Sequence, residues 1–180
     1  MTEKKKSGAW SDMIKPVIVL VVICLAASAL LGFTNAKTAP VIKANEDAAA
    51  AEVRRAVLPE ADGFEELEVS PELAGMGVTG VYKATNGAGY VVTASAKGYG
   101  GDVVVTVGFN GEGKILQVDA NVSTETQGVG SKVGERTILD RFTGLTGGAE
   151  SVQLRSGATY TSNAVRSCVK AAFAVMETLH

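Results

Sequence analysis

The chain has 180 residues, room for one domain of ordinary size, and its 46% hydrophobic and 20% charged content is globular. Seventeen basic and nineteen acidic residues leave a net charge of −2, which argues against the basic surface that nucleic acid requires. With one histidine, His180, and two cysteines, Cys24 and Cys168, the chain lacks the means for a Ser-His-Asp centre, a multi-histidine metal site or a thiolate-held cluster. No catalytic or metal-ligating residues are expected.

Pro16 to Thr34 form an uncharged apolar run. As a helix rising about 1.5 Å per residue it spans roughly 28 Å, close to a hydrocarbon core of about 30 Å. Lys4, Lys5, Lys6 and Lys15 precede it against Glu3 and Asp12, a local charge of +2, and the remainder carries −4. Basic residues stay on the cytoplasmic side. A transmembrane helix over 16–36 therefore leaves the basic tail 1–15 in the cytoplasm and the rest outside the cell, with Trp10 suited to the interface. A cleaved signal peptide is the competing reading, since Thr34-Asn35-Ala36 loosely resembles a cleavage site. The apolar run is nevertheless longer than the usual 7–15 residues or so. A lipoprotein reading is weaker, because Cys24 follows the bulky Val22 and Ile23. Cys24 in lipid and Cys168 outside cannot pair, so no disulfide is expected, and Cys168 reads as a small buried apolar residue.

Residues 37–77 read as a juxtamembrane helix and connector. Asn45-Glu46-Asp47 would cap a helix over Ala48 to Leu58, with Arg54 and Arg55 in its last turn and Pro59 as a stop. Four strands are predicted next, Val78–Ala84, Gly89–Ala96, Val103–Phe109 and Ile115–Val122. Their turns carry Asn86-Gly87 and Asn110-Gly111, strong hairpin signals. Lys132 to Phe142 reads as a short helix. Asn163 to Leu179 reads as an amphipathic helix with Val165, Cys168, Val169, Ala172, Phe173 and Met176 on one stripe. The predicted class is α+β: a single N-terminal transmembrane helix, then one antiparallel-sheet domain with packed helices over 78–180.

Three segments stand apart. Ser156 to Ser162 crowds four serines and threonines and Gly157 into the entry of the last helix. A helix start offers unpaired N–H groups and a partial positive charge, a ready anion site. Thr159 and Thr161 could place oxygens where a phosphate would lie. An ordinary cap, with Thr161 or Ser162 satisfying the first amides, explains the same residues. Gly98-Tyr99-Gly100-Gly101 and Glu125-Thr126-Gln127-Gly128-Val129-Gly130 are glycine-punctuated loops at strand ends, where backbones can approach a planar ligand.

Together, in this order, Gly98-Tyr-Gly-Gly, the Glu125 loop and Ser156-Gly-Ala-Thr159 with Thr161-Ser162 resemble the FMN-binding domain family. That domain occurs in the G subunits of Rnf-type ion-translocating ferredoxin:NAD oxidoreductases and the C subunits of sodium-translocating NADH:quinone reductases. The resemblance implies covalent FMN, held by a phosphoester that a separate flavin transferase installs on Thr159, with Thr161 as runner-up. It also implies Ser156, Gly157, Ala158 and Thr161 around the phosphate and Glu125, Thr126, Gly128 and Gly130 near the ring, with Lys132 a weaker addition. The departures are Gln127 at the family's proline, Val129 at its leucine and Gln153 where aspartate is usual.

Such a chain would be a membrane-anchored electron carrier within an Rnf-type complex, working with other membrane and redox subunits and having no turnover of its own. The alternatives are a stand-alone extracytoplasmic flavoprotein carrier, a quinone-reductase C subunit, or an anchored binding module whose Ser-Gly-Ala-Thr is only a cap. A redox protein with so few redox-competent side chains would borrow its chemistry from the flavin.

Overall fold

The structure, a computed structural model, describes residues 6–179. Lys4 and Lys5 of the basic tail, the side chains of Lys6 and Trp10, and His180 lie outside the described residues.

The first helix, α1, runs without interruption over Lys6–Val57 and contains Pro16 and Pro40. The separate helix expected to start at Asn45 does not exist; Asn45 lies inside α1. Pro40 removes one backbone donor, but the turns around it hold. Thr34 Oγ donates to the Leu30 carbonyl at 2.9 Å and Thr38 Oγ to the Thr34 carbonyl at 3.0 Å. The alanine-rich stretch that follows is made of the strongest helix formers. Among the described residues, α1 is the one helix long and apolar enough to cross a membrane. Leu20, Leu31 and Phe33 project from it without protein cover, as a lipid-facing segment requires. The chain divides into two units, one ending at Ala49 and one starting at Ala50.

The second unit is built on five antiparallel strands: β1 (Phe64–Leu67), β2 (Val78–Ala84), β3 (Gly89–Lys97), β4 (Asp102–Asn110) and β5 (Ile115–Asn121). They lie side by side in chain order. The four predicted strands are present, each with ends within a residue of expectation. The fifth, β1, lies within the predicted connector and pairs Leu67 with Val81 along the edge. Between β1 and β2, a single turn of helix, α2 (Pro71–Gly75), is capped by Ser70, whose Oγ accepts the Leu73 amide.

Register places Val92 opposite Val107, and Val107 opposite Val118, so one face becomes a continuous valine surface. On it lies the last helix, α4 (Thr159–Leu179), packed against β3 and β4. Phe173 meets Phe109 edge-on, ring centres 5.5 Å apart. The opposite face is covered by the end of α1, where Val57 and Leu58 pack with Ala84 and Val91. Gly108 makes that approach possible, since a Cβ there would strike the Val57 carbonyl. The Arg54 guanidinium lies 4.3 Å from the centre of the Tyr82 ring.

The helix expected over Lys132 to Phe142 is broken into pieces. A 3₁₀ turn, Ser131–Gly134, is followed by one short α-helical turn, α3 (Arg136–Leu139), and a second 3₁₀ turn, Asp140–Phe142. Gly134 packs on Val122 with no room for a side chain, and Glu135 is extended. Burial of Val133, Ile138, Leu139 and Phe142 fixes each piece to the core independently, so no continuous helical stripe is needed.

Candidate functional site

α4 begins one turn earlier than the hydroxyl pattern predicts, at Thr159 instead of Asn163. The backbone enters it through a tight turn in which the Ala158 amide donates to the Arg155 carbonyl at 3.4 Å. The third residue of that turn is Gly157, whose φ of +86° explains why a glycine stands there. The carbonyl of Ala158 then accepts the Ser162 amide at 2.9 Å, which makes Ala158 the cap. It has no side-chain oxygen. The ordinary-cap reading fails here, because both proposed caps lie inside the helix with hydroxyls committed elsewhere. Ser162 Oγ donates to the Arg155 carbonyl at 3.4 Å, and Thr161 Oγ donates to Glu125. Amides at the start of α4 are therefore left without a side-chain partner from the cap.

Glu125 is the centre of the arrangement and is only 4% exposed. Its Oε1 accepts the amides of Tyr99 and Gly100, both at 3.0 Å, while Oε2 accepts the Thr161 hydroxyl. One carboxylate thus ties together the Gly98 turn, the 125–130 loop and the first turn of α4. Burial pushes the Glu125 pKa up, but the Thr161 hydroxyl and the backbones of Gly100, Gly101 and Tyr99 outweigh it. The carboxyl ends below its ordinary value.

The glycines of these loops make that convergence possible. A Cβ on Gly98 would strike the Glu125 carboxylate, and one on Gly100 the Thr124 carbonyl. At Gly130 it would lie 2.8 Å from Glu125 Oε2 and 2.9 Å from Thr161 Oγ. Bare backbones let three loops meet. Gly128 differs: it has open space and a φ of +78°, so it serves the turn, with its amide donating to Ser131 Oγ at 2.9 Å.

Around this hub opens a cavity of about 460 Å³. Gly157, Ala158 and Thr159 form one side; Glu125, Thr126, Gly130 and Thr161 form the base. Tyr99, Val129 and Tyr160 form an apolar rim. Seven of the nine residues expected around a cofactor are thereby brought together. Ser156 is exposed outside the lining, and Gly128 and Lys132 do not reach it either. Gln153 keeps an exposed side chain, while its carbonyl accepts from Arg141 Nη1; Arg166 Nε holds the Val152 carbonyl at 2.8 Å.

The rim is what sequence reasoning missed. Tyr99 and Tyr160 are 73% and 68% exposed, yet their rings stand 6.0 Å apart at the cavity mouth. Each sits inside a segment already singled out, one among glycines and the other between two threonines. Exposed tyrosines flanked by small residues were the available signal.

The volume lies in the range of about 300–1,000 Å³ typical of cofactor sites. Its chemistry is also two-sided. Helix-start amides and the exposed Thr159 hydroxyl suit a phosphate, and the aromatic rim suits a flat ring system. The residues present therefore fit a flavin mononucleotide.

Comparison with known proteins agrees. Residues 98–174 match the FMN-binding domain family. Over 99% of its length, the chain is 29% identical to the G subunit of the Na(+)-translocating ferredoxin:NAD(+) oxidoreductase complex of Acetobacterium woodii, covering 98% of that relative. It is 25% identical, over 85% of each chain, to the G subunit of the proton-translocating ferredoxin:NAD(+) oxidoreductase complex of Clostridium ljungdahlii.

Proposed function

We propose that this chain is a membrane-anchored, FMN-carrying electron-transfer subunit of an Rnf-type ferredoxin:NAD oxidoreductase complex, with the flavin held by a phosphoester to Thr159. The likeness to these two relatives, nearly full-length in one case, supports membership in an assembly over a stand-alone carrier or a quinone-reductase C subunit. The enzyme is the complex, and this subunit relays electrons within it.

The observation that carries the attachment site is the position of Thr159. It is the first residue of α4, exposed and on the cavity wall, whereas Thr161 is 2% exposed and already bonded to Glu125. A nucleophile must be reachable. Gly157 and Ala158 leave backbone open to a phosphodiester, and the Thr126–Gly130 loop with the tyrosine rim would cover the ring. When bound, FMN supplies one- and two-electron chemistry that no side chain here provides.

The proposed organisation is a cytoplasmic basic tail (1–15), a transmembrane helix (16–36), a connector (37–77) that contributes β1 to the sheet, and an extracytoplasmic domain (78–180). The charge asymmetry around the apolar run supports that orientation. Outside the cell a diffusible cofactor would be lost, which is a reason for a covalent bond. A flavin transferase is the maturation partner.

The test is expression of the full chain with a flavin transferase, followed by a denaturing gel viewed under ultraviolet light. A fluorescent band that disappears in Thr159→Val and persists in Thr161→Val is expected. A dark wild-type band sinks the covalent reading.

A further inference from the structure

Two threonines, Thr159 and Thr161, stand two positions apart in the first turn of α4. The structure separates them sharply. Thr159 faces the cavity with a free hydroxyl, while Thr161 is buried and donates its only proton to Glu125 Oε2. Among the described residues, no hydrogen bond joins Thr159 to Glu125. Its other oxygen holds the Tyr99 and Gly100 amides at 3.0 Å, so the carboxylate is itself fixed from a separate turn of the chain.

We infer that Glu125 is the specificity-determining positioning residue for flavin attachment: by holding the Thr161 hydroxyl it confines the modification to Thr159. The inference rests on the proposed attachment of FMN and adds the reason for its site. Held by Glu125, Thr161 stays inside the fold at 2% exposure, where a transferase does not reach it.

Joining threonine to free FMN would expel water against a large excess of water, so the donor must be an activated phosphoanhydride, a flavin dinucleotide. Thr159 Oγ bonds to the flavin-side phosphorus, and the anhydride P–O bond breaks. A nucleoside monophosphate leaves with the second phosphate, and the hydroxyl proton passes to the transferase or to water. No oxidation occurs. Thr161 could perform the same displacement only after leaving its buried position beside Glu125 and becoming reachable. Gly130 enforces this arrangement, because any side chain there would press on both Glu125 Oε2 and Thr161 Oγ.

The experiment co-expresses the full membrane-anchored chain with a flavin transferase in cells supplying flavin dinucleotide. Trypsin then releases Ser156–Arg166, whose fragment masses assign the flavin to Thr159 or Thr161. Wild type is expected to carry flavin on Thr159, and Thr159→Val on neither threonine. Adding Glu125→Ala to Thr159→Val is expected to restore flavin, now on Thr161. Glu125→Gln, which keeps the volume but loses an acceptor oxygen, is expected to restore it to a smaller extent. Absence of flavin at Thr161 in both double variants overturns the role given to Glu125. Absence of flavin from wild-type Thr159 instead overturns the attachment reading on which it rests.

Discussion

The hydroxyl of Thr161 is bonded to the carboxylate of Glu125, thirty-six residues earlier in the chain. That bond joins the end of the sheet to the start of the last helix. Among the described residues, Glu125 is also the one group that holds all three glycine- and hydroxyl-rich segments together. Its consequences can be measured without any cofactor.

Acid should loosen the hub. The folded pKa of Glu125 is depressed, so its contribution to stability is complete above the ordinary carboxylate value of about 4.3 and is lost as pH falls through the folded value below that. Asp119 acts in the opposite sense: burial raises its pKa, against the lowering effect of Arg136, so its protonation favours the fold. Global melting therefore mixes two signs. Hydrogen exchange at the Tyr99 and Gly100 amides isolates the first, and their protection should fall on acidification. Protection that is unchanged down to pH 2.5 or so would contradict the hub.

Gly130→Ala should destabilise the folded unit by about 1–3 kcal/mol, because the added methyl has no space beside Glu125 and Thr161. Gly128→Ala should also destabilise, but for a different reason, its positive φ. Combining each with Thr161→Ala separates them. The smaller side chain should relieve Gly130→Ala in part and leave Gly128→Ala unchanged, read from melting of the detergent-solubilised chain.

Phe173→Ala should cost about 3–5 kcal/mol, since Phe173 pairs with Phe109 where α4 lies on the sheet. Denaturant midpoints of the purified chain would show it. The variant should keep its membrane association, which belongs to α1.

Cys168 should resist alkylation in the native protein. Its thiol is buried, donates weakly to the Val103 carbonyl at 3.9 Å, and is pushed up to about 12 by burial. Iodoacetamide at pH 8 should add no mass at this residue until denaturant is present. Rapid native labelling would show that α4 detaches readily.

Much of this was legible locally. Asn86-Gly87 and the Asn110–Gly113 segment mark two hairpins, with Gly87 and Gly113 at positive φ, and alternation in Val103, Val105, Val107 and Phe109 marks a core-facing strand, because turn chemistry and pleat act between near neighbours. What escaped depends on distant partners. β1 has only Phe64-Glu-Glu-Leu67, a pattern too short to signal by itself; pairing with β2 makes it a strand. The start of α4 at Thr159 escaped because Ala158 carries no capping oxygen, and the cap signals further on were spent on Glu125 and Arg155. Glu125 itself looked like a residue facing a ring. Its partners lie in a turn before β4 and a helix after the sheet, where no spacing rule reaches.

The five strands follow one another in chain order, so every hairpin can form from neighbours as it emerges. The cavity is different. It needs the Gly98 turn, the Glu125 loop and the first turn of α4, three segments distant from one another in sequence. No hairpin possesses it alone. A chain whose α4 had not docked would keep its hairpins and never present Thr159 on a formed wall. The wall that displays Thr159 is therefore a mark of the completed fold.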